Sequence, residues 1–577
     1  VGLGDRPPEP IVSVLGDHPM PLSRTFVVQL AHRLRDPLPA VAPALQWLEH
    51  QLEAGGTTIE LAVQAEHARQ AAMNVTARNI ITSMRAISAM DWPDIVERVS
   101  LVDRRLRMRT NFADLDFATR DNYRKRIEKL ARRSPMDELE VVDAVIGLVD
   151  VATAGAQEAR RSDPGYYLLG AGQPELERAV RFRPALRDWG RRLSRAIGVP
   201  GYIAVCIVGA GLVLASVIGL MAPHTAPAVL LLFTLLAVLP AVDLAATLLS
   251  RIILAVARPV ALPALEFRNG VPPDAKTLVV IPTLLSGDAS VDEVVTQLEI
   301  HYLANPKDDL TFAILSDWTD APSEAMPGDE EIVLRARAAI DRLNRTHRRL
   351  EGDRFLLLHR RRVWNETQGC WMGWERKRGK LAELNRLLRG AKDTTFIPVG
   401  GRPPVAPDDV RYVVTLDSDT RLPRDTVRKL IGKMAHPVNR PRIDAGRHIV
   451  VDGYGILQPR VTLALPHTSE GSWFQRVFSG ARGMDPYAAP VSDAYQDLFG
   501  EGSFLGKGIY DVDAFEATME GRTPENAILS HDLFEGIFAR AGLAGDIEFV
   551  EEFPPRYDVA ASRQHRWARG DWQLLRW

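Results

Sequence analysis

From Thr25 to about Val180, apolar residues return every three or four positions and Gly and Pro are sparse within the runs. That is the periodicity of helices packed along one face, and it predicts an all-helical region over residues 1–196. Asp163, Pro164 and Gly165 read as a turn closing it. The alternation then disappears: Gly198 to Ala222 holds no charged residue, and a second apolar run from Ala226 to about Ala257 is broken only by Asp243 and Arg251. A span takes about 20 predominantly apolar residues, so residues 197–258 predict two transmembrane helices. Beyond Ala275 short apolar strands alternate with helices. Strands are expected at Thr277–Ile281, Leu310–Leu315, Phe355–Leu358 and Val410–Leu416, and helices at Val291–Tyr302, Glu330–Arg348 and Gly379–Arg389. The alternation predicts βαβ units and a mainly parallel sheet over residues 270–577.

Charge orients this layout. Arg187, Arg191, Arg192 and Arg195 precede the first span and Arg251 and Arg258 close the second, whereas the connector Met221–Pro227 has no Lys or Arg. The positive-inside rule puts both outer flanks in the cytoplasm. A cleaved signal peptide is excluded, because the first run lies deep in the chain and a second span follows it. Asp243 reads either as lining a polar path or as an interfacial residue. The basic run Arg124–Arg133 reads as a solvated helix face or a docking surface. With 71 basic and 73 acidic residues among 577, no basic field argues for nucleic acid. The two cysteines, Cys206 and Cys370, suit neither a disulfide framework nor a metal site. The first residue, Val1, and the basic aromatic stretch at Trp577 read as the ends of a fragment of something longer.

The candidate chemistry lies in the last region. Ligands of open α/β sheets bind beyond the carboxyl ends of the strands, where Asp317 and Asp417 fall. Asp417 and Asp419, separated by Ser418, place two carboxylates within reach of one Mg²⁺ or Mn²⁺, which would share its remaining positions with phosphate oxygens and neutralise a leaving diphosphate. Lys377 and Lys380, followed by Asn385, put cations at a helix start where phosphates are gripped, although a surface basic cluster fits the spacing as well. Inverting glycosyl transfer needs a general base, and Asp532, at an expected helix start after Ser530 and His531, is the candidate; Glu535 and His531 are its rivals.

These residues, with Arg563, Gln564, His565, Arg566 and Trp567, resemble the D, DxD, (T/S)xD, QxxRW series of membrane-embedded processive inverting synthases such as cellulose synthase. The segments Asn111–Arg124, Gly165–Gly170 and Phe499–Asp511 are similar to the narrower family of bacterial cyclic β-1,2-glucan synthases, and the resemblance covers residues from about 100 onward. It implies a nucleotide-diphospho-sugar transferase domain of the GT-A class behind an all-α cytosolic domain and a transmembrane hairpin. It further implies UDP-glucose as donor, a growing β-1,2-glucan as acceptor, an inner-membrane protein with its catalytic domain in the cytoplasm, and later C-terminal domains that cyclise or phosphorolyse the product. By the same resemblance Asp317 contacts the uridine, Asp417 and Asp419 serve the diphosphate and metal, Asp532 is the base, and Arg566 and Trp567 hold the diphosphate and the acceptor sugar. The pattern departs at Arg563, which occupies the Gln position with Gln564 beside it, leaving open which plays that part. Trp473 and Phe504 are weaker candidates for sugar stacking than for packing. Two rival readings are a polymerase making another linkage and a non-catalytic glucan-binding scaffold.

Overall fold

The computed structural model describes Leu15 and residues 22–35, 41–155, 159–256, 261–306, 310–350, 352–464, 471–478, 494–528 and 531–576. It divides into two compact units, Val1–Val99 and Ser100–Trp577, so the helical stretch read as one region to residue 196 belongs to both.

The first unit holds α1 (Arg24–Arg33), α2 (Ala42–Ala54), α3 (Ile59–Ala89) and α4 (Trp92–Val99). Ser23 and Thr58 cap α1 and α3 through their hydroxyls, and Val27, Ala31, Leu48 and Leu52 form a small core. Glu66 is buried and takes two hydrogen bonds from Arg69, at 2.6 and 2.8 Å.

The second unit opens with a helical layer: α5 (Leu101–Arg109), α6 (Phe117–Ala131), α7 (Glu138–Ala154), α8 (Pro164–Leu168) and α9 (Gln173–Ala179). Its core gathers Leu106, Phe112, Tyr123, Ile127, Val141, Val145 and Leu168, each fully buried, and burying one such side chain is worth about 1.5–3 kcal/mol. The segment read as a closing turn is instead the start of α8. Asp163 caps it, accepting from Gly165 N at 2.7 Å, and its other oxygen accepts from Asn111 Nδ2 at 2.7 Å. The basic run of α6 is neither wholly solvated nor free for docking. Arg124 pairs with Asp103 at 2.9 Å and Arg126 with Glu177 at 2.8 Å, while Lys125 and Arg132 remain in solvent.

Two long apolar helices follow, α10 (Leu186–Met221) and α11 (Pro227–Val256). Gly198, at φ 61° and ahead of Pro200, breaks α10, and the stretches long and apolar enough to cross a membrane run Gly198–His224 and Pro227–Ile253 with mean hydropathy 2.6 and 2.4. Only 11% of either apolar window is buried, which is far too little for the core helix of a soluble domain. Ala210, Ala241 and Ala245 form the seam between them, and Tyr202 Oη lies 3.0 Å from Ser250 Oγ. Asp243 is exposed and turned away from that seam.

The remaining helices and strands build a nine-stranded sheet. Its strands are β1 (Thr277–Leu285), β2 (Thr311–Trp318), β3 (Phe355–Arg360), β6 (Phe396–Ile397), β7 (Tyr412–Thr415), β8 (Thr420–Arg421), β11 (Ile456–Leu463), β12 (Gly508–Asp511) and β13 (Ala541–Glu551), in the order β6-β3-β2-β1-β7-β12-β11-β13-β8. Two small ribbons pair β4 (Val363–Asn365) with β5 (Cys370–Met372) and β9 (Arg442–Asp444) with β10 (Ile449–Asp452). The sheet is mixed rather than mainly parallel. β3, β2, β1 and β7 run parallel, but β12 is antiparallel to both β7 and β11, and β6 and β8 are antiparallel edges. The strands that read clearly in the sequence are the parallel ones, because burial on both faces makes them continuous apolar runs. α12 (Asp288–Ala304), α13 (Asp329–Thr346) and α15 (Thr426–Ala435) contribute to the core on one face, and α14 (Arg376–Leu388), α18 (Val512–Met519) and α19 (Asp532–Phe538) to that on the other. Three further helices are α16 (Trp473–Phe478), α17 (Ala494–Phe499) and α20 (Tyr557–Gln573), and Tyr495 of α17 packs against Tyr202 with ring centroids 5.6 Å apart.

The helical layer is bonded to the sheet through the segment before β1. Asp116 N donates to Ala264 O at 3.0 Å, Ala264 N to Thr119 Oγ1 at 2.8 Å and Glu266 N to Asp114 O at 2.7 Å. Tyr123 Oη, fully buried, lies 3.3 Å from Asp163 Oδ1 and 3.4 Å from His436 Nε2 just past α15. Burial and then the Asp163 charge push the Tyr123 phenol far up, so it stays a donor. A Cβ at Gly165 would overlap the Tyr123 hydroxyl and lie 2.8 Å from Asp163 Oδ1. Gly165→Ala is therefore expected to cost about 1–3 kcal/mol, read as a lowered Tm of the detergent-solubilised protein; an unchanged Tm would show that this joint is soft.

Candidate functional site

The carboxyl ends of β1, β2 and β7 converge at one edge, and each delivers a polar group. Asp317 at the end of β2 is only 1% exposed. Arg360, one strand over on β3, grips both its oxygens at 2.8 and 2.9 Å and also holds Glu383 at 2.9 Å. Lys380 sits 3.1 Å from Asp317 Oδ2 and donates to Thr283 O at 2.6 Å. Burial lowers the Lys380 ammonium to about 8 even with Asp317 beside it. A Cβ at Gly373 would strike the Asp317 carboxylate. Any uridine contact by Asp317 would thus have to displace part of this ring of cations.

Asp417 follows β7 directly. Lys377, in the first turn of α14, meets Oδ1 at 2.5 Å, and Lys507 meets Oδ2 at 2.9 Å. Burial opposes ionisation of Asp417, but the two ammonium groups outweigh it and hold the carboxyl far below its ordinary range. Lys507 also pairs with Glu551 at the end of β13. Asp419 accepts from Arg563 Nη2 at 3.0 Å. Oxygens of Asp417, Asp419 and Glu551 all lie within 4.8 Å of one another, and an all-carboxylate set of that size fits Mg²⁺ or Mn²⁺ with water and phosphate completing the shell.

Asp532 opens α19 and stands over Gly506, where a Cβ would fall 2.6 Å from Oδ1; Gly506 has φ +83°, a conformation that itself favours glycine. Lys377 donates to Gly506 O at 2.7 Å, so one lysine joins the Asp417 cluster to the floor beneath Asp532. Of the rival bases, Glu535 is buried and engaged by His531 Nδ1 at 2.9 Å, while the Asp532 side chain keeps 26% exposure. Burial works against a charged His531, but Glu535 and Asp532 prevail and its pKa is raised. Ser530 lies outside the described residues.

Several expectations change on this geometry. The basic pair is no surface cluster, since Lys377 and Lys380 both turn inward onto aspartates. Asn385 is far from any phosphate grip, bonding Glu516 and Tyr510 in the core at 2.9 Å each. At the departed Gln position Arg563 turns to Asp419, with its guanidinium 5.7 Å from the Trp567 ring, whereas Gln564 and Arg566 are exposed. Phe504 is core at 3% exposure, and Trp473, at 80%, is not. Arg360, Lys507 and Glu551 were given no role from the sequence. Lys507 stood inside the Phe499–Asp511 segment, but Glu551 closes an irregular strand and carried no signal.

Parallel strand ends that gather paired aspartates and lysines lie where open α/β sheets bind their ligands. No family model matches the chain. The chain is 47% identical over 558 residues, 96% of its length, to the cyclic beta-(1,2)-glucan synthase NdvB of Rhizobium meliloti (strain 1021). It spans 20% of that relative's length and so corresponds to one part of it. The resemblance read from the motifs thus extends over nearly the whole chain. Among solved structures, the mannosyltransferase PcManGT from Pyrobaculum calidifontis, in complex with GDP-Man and Mn²⁺, matches 53% of this chain and 65% of its own at 18% identity and a TM-score of 0.28, too distant to bear on the argument.

Burial opposes ionisation of Asp317 as well, but Lys380 and Arg360 leave its pKa lowered. Asp317 and Asp417 therefore both titrate below their unfolded values. The stability they contribute is fully present above the unfolded aspartate pKa and is lost as pH falls from there through the lower folded values. In Asp317→Asn the fall of Tm below about pH 4 should be shallower than in the wild type. At neutral pH the same variant should be destabilised by about 3–5 kcal/mol, because Arg360 loses its buried partner. Parallel acid limbs would remove Asp317 from the account.

Proposed function

We propose that this chain is the polymerising part of a cyclic β-1,2-glucan synthase: a GT-A-type inverting glycosyltransferase that moves glucose from UDP-glucose onto a growing glucan at the cytoplasmic face of the bacterial inner membrane. The observation that carries this reading is the link from Asp417 through Lys377 and Gly506 to Asp532, which sets a diphosphate-binding group and an open carboxylate side by side. The linkage is supported by the likeness to NdvB.

Lys377, Lys507 and Arg563 draw the diphosphate to the strand ends, while Asp417, Asp419 and Glu551 would hold Mg²⁺ or Mn²⁺. Such an ion supplies counter-charge to the leaving UDP. Asp317 supports the donor pocket through Arg360 and Lys380. Trp567 offers an aromatic face to the acceptor pyranose, and Arg566 stands on the same helix, free in solvent to reach the donor. Asp532 accepts the acceptor hydroxyl proton as that oxygen attacks the anomeric carbon and the bond to the diphosphate breaks, which inverts the configuration. α10 and α11 span the membrane with the catalytic unit on the arginine-rich side. The later domains of the longer protein would cyclise or trim the product.

The test is incorporation of labelled glucose from UDP-glucose by membranes carrying the full-length parent chain, with linkage analysis of the product. Asp532→Asn should lower incorporation about a hundredfold or more while UDP binding persists. Chelation should abolish incorporation and Mg²⁺ or Mn²⁺ restore it. A product with another linkage would keep the mechanism and discard the β-1,2 assignment; a folded wild type that binds UDP-glucose but incorporates nothing would favour a glucan-binding scaffold.

A further inference from the structure

The last turn of α20 carries a carboxylate that the reaction above does not use. Asp571 Oδ1 is closed from solvent and has no hydrogen-bond partner among the described residues. Buried polar atoms are nearly always satisfied, and an anionic oxygen left without a donor costs more than a neutral one. Its neighbourhood explains neither its burial nor its charge: burial pushes the Asp571 carboxyl up, and the charge of Asp532 pushes it the same way. Among the described residues no donor reaches Asp571 Oδ1, which leaves that oxygen available to a donor on a bound ligand.

The helix shows what that donor belongs to. Arg563, Trp567 and Asp571 recur every four residues and so share one face, each step about 6 Å along the axis. Arg563 touches Asp419 at the diphosphate end. Trp567, half-buried beside it, presents the stacking surface. Asp571 comes next along the same face, close enough to Asp532 for the two charges to act on each other. Along one face the helix thus offers a cation, an aromatic ring and an unpartnered acceptor, the sequence of groups suited to a phosphate, a pyranose ring and a sugar hydroxyl.

We propose that Asp571 is a positioning residue whose Oδ1 accepts a hydrogen bond from a hydroxyl of the glucosyl unit stacked on Trp567, and so selects which hydroxyl of that unit is presented to Asp532. The proposal rests on the glucosyl-transfer reading. Asp571 takes no proton in the transfer; the acceptor proton goes to Asp532, the new bond forms from the acceptor oxygen to the anomeric carbon, and the electron pair of the broken bond leaves on UDP.

The experiment compares Asp571→Ala and Asp571→Asn with the wild type in the full-length parent chain, using a soluble β-1,2-linked glucose disaccharide as acceptor. It reads acceptor KM, kcat, UDP affinity, and UDP released per glucose transferred. Asp571→Ala should raise acceptor KM about tenfold or more and raise the UDP-to-glucose ratio as water competes for the donor, with UDP affinity unchanged. Asp571→Asn, which keeps an oxygen acceptor in place, should recover most of the acceptor affinity. An active wild type beside an Asp571→Ala protein with unaltered KM and ratio, or with UDP affinity lost in step with acceptor affinity, would overturn the proposal alone. A wild type that transfers no glucose would overturn the transfer reading and the proposal with it.

Discussion

The architecture depends on keeping negative charge ionised inside a low-dielectric sheet edge. Asp317 and Asp417 sit where β2 and β7 end, and burial pushes both carboxyls toward the neutral form, more plainly at Asp317, since the Asp417 side chain keeps 34% exposure. Arg360, Lys380, Lys377 and Lys507 prevent it, and those four cations come from β3, the single helix α14 and the segment before β12. Because a buried charge without its partner is strongly destabilising, the strand order and the seating of α14 are constrained together. α14 delivers one lysine to each aspartate, three residues apart, so a rotation of the helix would strip both.

The helical layer is held by a similar logic with neutral partners. Tyr123, Asp163, Asn111, Gly165 and His436 form one buried cluster, and its members come from segments far apart in the sequence. Burial keeps His436 neutral, its pKa lowered, so the contact with Tyr123 is a hydrogen bond rather than an ion pair. Two of the three segments that suggested the narrower family, Asn111–Arg124 and Gly165–Gly170, therefore meet in space as a joint between layers. Their residue types are accounted for by packing and hydrogen bonding at this joint.

What was legible follows from how locally each feature is encoded. The apolar runs at Thr277–Ile281 and Leu310–Leu315 betray their strands because both faces are covered, and the charge-free run from Gly198 betrays a long helix with an exposed apolar surface. The mixed half of the sheet was hidden: β12 runs antiparallel to both neighbours, β13 alternates buried and half-buried positions, and β11 includes Pro459 where its parallel pairing with β13 shifts register. In the site, Asp417, Asp419 and Asp532 were legible because they follow predictable elements. Glu551 was not, since its partners Lys507, Asp417 and Thr420 arrive by tertiary pairing alone. The inward turn of Lys377 and Lys380 was equally closed to sequence reasoning, because a basic run at a helix start looks the same whether it faces solvent or an aspartate.

The seam between the two apolar helices has its own consequence. Ala210, Ala241 and Ala245 line it, and even a single added methyl at Gly209 would stand 3.3 Å from the Ala245 side chain. Helix axes brought so close by small residues leave no lumen between them. No solvated passage runs between α10 and α11, so whatever these helices meet, they meet through outer faces where apolar side chains such as Leu212, Leu220, Leu235 and Leu239 stand exposed.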